Sequence, residues 1–323
     1  MALVLAVAAV LVWGGVPVAA QEGVPITPVG LPQIDVHLDP GKNDVQGQRP
    51  APRFPASQLT EPLWRPAHAP EPAQIVSFYG HPGVPIMGVL GHGTPAVVAE
   101  RVAVWAEHYD RLNGPRGAVP AFHLITGVAQ AGTTRDGTWL YRLSHERIGE
   151  YVETAREHDM LIFLDTQIGW SDPLAEVKLL EPFLREPFVH IALDPEFATE
   201  PLGIGPGKAL GFLTGAQINE VQHYLATLVA EAELPPKILM VHQFAKRMLH
   251  DREVIENYDA VELSVDMDGF GYTAAKLSGY RRFALPAPSE RPALKLFFHY
   301  DIPVMTPEEV QGLDQPPDLI IYQ

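Results

Sequence analysis

The chain has 323 residues, of which 39 are acidic and 23 are basic, so its formal net charge is −16. This balance argues against nucleic acid or an anionic membrane surface as a partner, because both attract basic patches. The chain contains no cysteine, which excludes thiolate metal ligands, a cysteine nucleophile and disulfide bonds.

Residues 1–20 are predicted to be a signal peptide. They form an apolar stretch that ends in Val18-Ala19-Ala20, and small residues at this point are typical of a signal-peptidase site. The stretch is short for a membrane span, and Gly14, Gly15 and Pro17 interrupt it. We therefore expect a secreted or extracytoplasmic bacterial protein that keeps no stable membrane span after cleavage.

Residues 21–73 are predicted to form an irregular, proline-rich arm. Prolines are dense in segments such as Arg49–Pro55 and Pro66–Pro72. Because proline fixes φ and has no backbone N–H group to donate, such segments favour extended polyproline conformations over helices or sheets.

Residues 74–323 are predicted to form one barrel domain, because short apolar runs alternate with stretches of helical periodicity. The eight predicted strands are Gln74–Tyr79, Pro120–Gly127, Met160–Gln167, Phe188–Leu193, Lys237–His242, Ala260–Asp266, Leu294–Tyr300 and Asp318–Gln323. The predicted helices include Ala96–Leu112, His145–His158, Pro173–Arg185, Ala216–Leu234 and Pro307–Leu313. This alternation is typical of an α/β protein with a (β/α)8 TIM barrel. A doubly wound open sheet is the alternative, but the loop after the first strand lacks the G-x-G-x-x-G spacing that such a fold often carries.

Polar side chains concentrate near the C-terminal ends of the predicted strands. Side chains alternate between the two faces of a strand, so the more polar set of each strand is assigned to the barrel interior. In barrel enzymes the C-terminal end carries the active site. The residues predicted to bind substrate there are Tyr79, His81, His123, Asp165, Gln167, Trp170, His242, Asp266, Asp268, Tyr300 and Asp301.

The fourth strand ends in the sequence Asp194-Pro195-Glu196. If the strand continues through it, both acids share one face with Cα atoms roughly 6.5 Å apart. An ionised carboxylate raises the pKa of its neighbour, and two different pKa values are what acid-catalysed bond cleavage requires. The alternative is a strand-end turn with both acids solvated.

The Asp194-x-Glu196 ending of strand four resembles the barrel glycosidases of the chitinase-like and muramidase-like families. The resemblance implies that Glu196 is the catalytic proton donor, that Asp194 is its catalytic helper, and that the partner is a carbohydrate or cell-wall polymer. Two features depart from the family pattern. Val189–Leu193 lacks the upstream glycine and aspartates of the chitinase signature, and Tyr322-Gln323 stands where that family has a strand-eight tryptophan.

The leading hypothesis is therefore a secreted glycoside hydrolase that needs no cofactor and no metal. Asp266, Asp268 and Asp301 are further candidates for its nucleophile or base, and aromatic residues such as Trp170 and Tyr300 are candidates for stacking on sugars. A metal-dependent hydrolase is a second hypothesis, since carboxylate-rich sites suit magnesium, calcium or manganese and mixed histidine and aspartate sites suit zinc, although no H-E-x-x-H motif occurs. A third is a non-catalytic protein that binds carbohydrate or cell-wall polymer.

Overall fold

The structure is a computed structural model that describes residues 72–323. The predicted signal peptide (1–20) and nearly all of the predicted arm (21–73) lie outside the described residues. Within the part that is described, no helix combines the length and the apolar character needed to cross a membrane.

Eight parallel strands close into a barrel, as the sequence predicts. They are β1 (Gln74–Gly80), β2 (Ala118–Ala129), β3 (Leu161–Gln167), β4 (Val189–Asp194), β5 (Lys237–Gln243), β6 (Val261–Met267), β7 (Ala293–Leu296) and β8 (Leu319–Tyr322). Each strand pairs with the next one along the chain, and β1 pairs with both β2 and β8, which closes the sheet. Closure leaves the barrel no unpaired edge, and it brings the C-terminal ends of all eight strands to one rim.

Helices connect most of the strands. They are α1 (Pro95–Leu112), α2 (His145–Glu157), α3 (Pro173–Leu179), α4 (Glu181–Leu184), α5 (Gly215–Ala232), α6 (Thr273–Gly279) and α7 (Pro307–Gln311). The predicted helix Pro173–Arg185 is divided into α3 and α4. Pro182 explains the division, because a proline inside a helix removes one backbone hydrogen bond and clashes with the preceding turn.

The helix starts follow the local sequence. The side chains of Thr94, Ser144, Asp172 and Thr306 each accept a hydrogen bond from a backbone N–H in the first turn of the helix that follows. Such caps satisfy donors that a helix cannot satisfy by itself. The apolar side chains of the strands are buried, as expected for strands that are covered by helices.

The seventh strand is shorter than predicted. The sequence predicts Leu294–Tyr300, whereas β7 ends at Leu296 and a turn follows at residues 298–300. The physical reason is Asp301, whose carboxylate accepts a hydrogen bond from the backbone N–H of Phe297 at 2.8 Å and draws the chain back on itself. Tyr300 therefore lies on a turn at the rim, not on the strand.

Candidate active site

A chain of hydrogen-bonded side chains crosses the barrel interior near the C-terminal ends of the strands. Asp165 on β3 accepts hydrogen bonds at 2.8 Å from Nε2 of His123 on β2 and from Nε2 of His242 on β5. Nδ1 of His242 lies 2.8 Å from a carboxylate oxygen of Asp266 on β6. All four side chains are fully buried. The sequence analysis assigned the more polar face of each strand to the barrel interior, and these four residues do meet there.

His242 is a buried cation. Both of its ring nitrogens face carboxylate oxygens, and only a protonated imidazole can donate from both nitrogens. Burial lowers its pKa, but the charge of Asp165 and the hydrogen bonds to Asp165 and Asp266 outweigh burial and hold the pKa well above its ordinary value. Burial lowers the pKa of His123, so His123 is neutral and donates its Nε2–H to Asp165.

Lys295 on β7 forms a second charged centre beside this chain. Its ammonium lies 3.0 Å from Oδ1 of Asp268 and 3.5 Å from the centre of the Tyr79 ring. Burial lowers the pKa of Lys295, but Asp268, Asp266 and Asp165 together raise it above its ordinary value. The second oxygen of Asp268 lies 3.6 Å from Nδ1 of His242, so Asp268 faces two cations.

The sequence prediction missed Lys295. A signal for it was present, because Lys295 falls within the predicted seventh strand and shares the period-two face of Asp301, which was predicted to bind substrate. The site residues predicted on this strand were its last residue, Tyr300, and Asp301, which follows it. Because the strand ends four residues early, the inward polar residue is Lys295, while His299 is exposed on the turn.

Asp194 and Glu196 lie at the end of β4, where the chain enters a single 3₁₀ turn, Pro195–Phe197. Asp194 is buried, and its Oδ1 accepts a hydrogen bond from the backbone N–H of Glu196 at 2.9 Å. The strand-end turn considered as an alternative is thus present, but its acids are not simply solvated. The side chain of Glu196 is partly buried and forms no hydrogen bond or ion pair with residues 72–323.

Both of these carboxyl groups hold protons more tightly than free acids do. Burial is the largest cause for each, and the nearby charge of Asp268 adds to it. Together with the charge of Asp194, these effects raise the pKa of Glu196 to about 8. The pKa of Asp194 is raised to about 7, although the His242 cation opposes the rise. The predicted influence of Asp194 on Glu196 is therefore present.

Other residues predicted to bind substrate hold the loops around this centre. Gln167 accepts a hydrogen bond from the backbone N–H of Ala129 at 2.8 Å. The indole N–H of Trp170 donates to Thr199 at 3.2 Å and to the carbonyl of Ile204 at 3.1 Å. Trp170 thereby ties the loop that follows Glu196 to the end of β3.

His81, Tyr300 and Asp301 take three different positions. His81 is buried, with Nδ1 3.0 Å from the carbonyl oxygen of Pro82. Tyr300 is 43% exposed and lies against Phe270, with ring centres 5.4 Å apart. Asp301 is buried and bonded to backbone groups of the rim. The predicted residues that converge on the centre are Tyr79, His123, Asp165, Asp194, Glu196, His242, Asp266 and Asp268.

Two groups in this centre have ligand atoms close enough to hold a metal ion. One comprises His123, Asp165 and His242, and the other comprises His242, Asp266 and Asp268. A metal ligand must offer a lone pair, and a protonated His242, whose ring nitrogens each lie 2.8 Å from a carboxylate oxygen, has none to offer. The arrangement therefore fits a protonated hydrogen-bonded network better than a metal centre.

Comparison with known proteins adds no family. No model of a known protein family matches this chain, and no curated protein shows significant similarity to it. The inferences about function therefore depend on the barrel and on the geometry of its C-terminal rim.

Proposed function

We propose that this protein is a glycoside hydrolase that acts on a polysaccharide or cell-wall glycan, with Glu196 as the general acid. The observation that carries the proposal concerns the carboxylate cluster, which comprises Asp165, Asp194, Glu196, Asp266 and Asp268. Four members are bound to neighbouring side chains or backbone groups. Glu196 alone forms no such bond with residues 72–323. It is also partly exposed, and its pKa is raised to about 8. It is thus a protonated acid at neutral pH with its proton free to be given away.

Asp268 supplies the second carboxylate that glycoside hydrolysis requires. It forms an ion pair with Lys295 and lies beside the His242 cation, while its side chain keeps some exposure at the rim. In the proposed reaction Glu196 protonates the leaving oxygen, and Asp268 stabilises the positive charge that develops on the sugar or acts as nucleophile or base. Asp194 fixes the Glu196 backbone through its hydrogen bond and keeps the Glu196 proton in place through its charge.

The acidic composition suits a neutral or cationic glycan, and the predicted signal peptide would deliver the enzyme to cell-wall material outside the cytoplasm. Sequencing of the mature N-terminus tests this location, since we expect it to begin at Gln21. A mature protein that retains residues 1–20 would contradict export by cleavage.

The activity is tested by measuring the release of reducing ends from a panel of polysaccharides and from peptidoglycan. We expect Glu196→Gln to lower kcat by about 10²–10⁴-fold, the usual contribution of a general acid. Glu200→Gln is the matched control, because Glu200 is exposed on the next turn of the same loop. We also expect the activity to survive EDTA, which distinguishes this mechanism from a metal-dependent hydrolase. Unchanged activity in Glu196→Gln would overturn the assignment, and glycan binding without hydrolysis would favour a non-catalytic binding protein.

A further inference from the structure

A buried lysine on α6 joins two of the loops that form the active-site rim. Lys276 is almost fully buried, and its ammonium donates to the carbonyl oxygens of Gly269 at 2.7 Å and Lys295 at 2.6 Å. It also lies 3.0 Å from the carboxylate of Asp301. An ammonium has three N–H donors, so these three acceptors satisfy it completely.

Asp301 completes this arrangement from the other side. One of its oxygens accepts a hydrogen bond from the backbone N–H of Gly271 at 3.0 Å, and the other accepts one from Phe297 at 2.8 Å. We call Lys276 and Asp301 together the rim clamp. Its bonds connect the segment that follows β6 with the end of β7, so neither segment can move without breaking buried polar contacts, which are costly to leave unpaired.

The rim clamp bonds to the backbone of Lys295 and to the backbone beside Asp268, the two residues that matter for the proposed chemistry. One of its acceptors is the carbonyl of Lys295 itself, and another belongs to Gly269, the residue next to Asp268. The side chains of Asp268 and Lys295 meet at 3.0 Å. The clamp therefore restrains the backbone at both ends of this ion pair.

We infer that Lys276 is a positioning residue, which with Asp301 holds Asp268 against Lys295 in the geometry that the reaction needs. The placement of the ion pair follows from the structure alone, whereas its importance for hydrolysis rests on the proposed function. The ionisable groups around Lys295 are Tyr79 on β1, His123 on β2, Asp165 on β3, Glu196 after β4, His242 on β5, and Asp266 and Asp268 at the end of β6.

The test reads the ion pair directly through NMR titration of isotopically labelled lysine, with the Lys295 signal assigned by its loss in Lys295→Arg. The variant is the double substitution Lys276→Met with Asp301→Asn, which removes one charge of each sign. The control is Lys237→Met. Lys237 is also a buried lysine that donates to two carbonyl oxygens, those of Glu186 at 2.5 Å and Val189 at 3.0 Å, but it begins β5 at the opposite end of the barrel.

In the wild-type protein we expect Lys295 to stay protonated through the range in which exposed lysines titrate, because Asp268 favours its charged form. In the double variant we expect Asp268 and Lys295 to separate, so that burial becomes the main influence on Lys295. The titration midpoint of Lys295 then falls by at least about one pH unit. Lys237→Met should lower the Tm and leave the Lys295 midpoint unchanged. If the double variant does not fold, Lys276→Arg is used instead, and we expect it to lower the Lys295 midpoint as well. A guanidinium keeps the positive charge but cannot place three donors on these converging acceptors.

An unchanged Lys295 midpoint in a folded clamp variant would overturn the inference, and so would an equal fall in Lys237→Met. Kinetics on the substrate found for the wild type form a second arm, in which we expect a lower kcat with little change in KM. Absence of glycan hydrolysis in the wild type would count against the proposed function only, because the NMR titration does not depend on activity.

Discussion

Replacing Glu196 by glutamine should make the protein more stable, and increasingly so as the pH rises. The folded state raises the pKa of Glu196 from 4.5 to about 8, with burial as the largest cause. A carboxyl group whose folded-state pKa lies above its unfolded value makes the folded state lose stability as the pH rises between those two values. Glutamine has nearly the same shape and does not ionise, so the variant escapes this loss.

The size of the effect follows from the two pKa values. One pKa unit corresponds to about 1.36 kcal/mol, so a single group with these values loses about 3.5 kcal/mol of folding stability between pH 5 and pH 8. We expect a loss of about 2 kcal/mol in the protein. Solvent contact weakens the effect of burial on Glu196, and the titration of Glu196 is coupled to that of Asp194. The free energy of unfolding of Glu196→Gln, relative to wild type, should therefore increase by about 2 kcal/mol over this range.

The assay is urea unfolding of both proteins at pH 5, 6, 7 and 8, followed by tryptophan fluorescence, with a common m-value for the comparison. Glu200→Gln serves as the control and should show no such trend, because Glu200 is exposed. A difference between Glu196→Gln and wild type that stays constant with pH would refute the reasoning. It would mean that the folded protein does not keep Glu196 protonated, and the general-acid assignment would lose its physical basis.

Two further predictions concern the neighbours of Glu196. His242→Gln should destabilise the protein by about 3–5 kcal/mol in urea unfolding at pH 6, because it leaves Asp165 and Asp266 buried without their shared cation; a loss below about 1 kcal/mol would show that His242 is not the imidazolium described. Asp194→Asn should move the alkaline limb of the pH–rate profile to lower pH, because it removes a charge that raises the pKa of Glu196; an alkaline limb that stays in place or moves upward would contradict this coupling.

The barrel was predictable because its signals are local and repeated. Each strand is a short apolar run and each long helix has its own periodicity and cap, so an error in one element leaves the others intact. The structure departs from the predicted elements in the helix after β3 and at the end of β7. In each case a single residue is the cause. Pro182 divides a helix whose apolar pattern continues, and Asp301 ends β7 early through a hydrogen bond to Phe297. Periodicity carries no information about either event.

The members of the buried histidine and carboxylate chain were predictable from the sequence, whereas Lys295 was missed and the roles of the residues were not predictable. Alternation along the strands identified His123, Asp165, His242 and Asp266 as inward residues, and they do form one hydrogen-bonded chain. The hydrogen-bond partner of each side chain depends on barrel closure and strand register. Neither of these can be read from the sequence of a single strand. The same limitation hid Lys276, because an isolated lysine on a short helix gives no sign in the sequence that its ammonium is buried.

The distribution of charge in the barrel interior supports the proposal that acid catalysis occurs at the end of β4. The five members of the carboxylate cluster face two buried cations, His242 and Lys295. Both cations bind cluster members that lie on or just after β3 and β6. Neither cation forms an ion pair with the two carboxyls at the end of β4, so burial dominates there and raises the pKa of Asp194 to about 7 and that of Glu196 to about 8. Of these two, Asp194 is fixed by its bond to the backbone, which supports Glu196 as the proposed general acid.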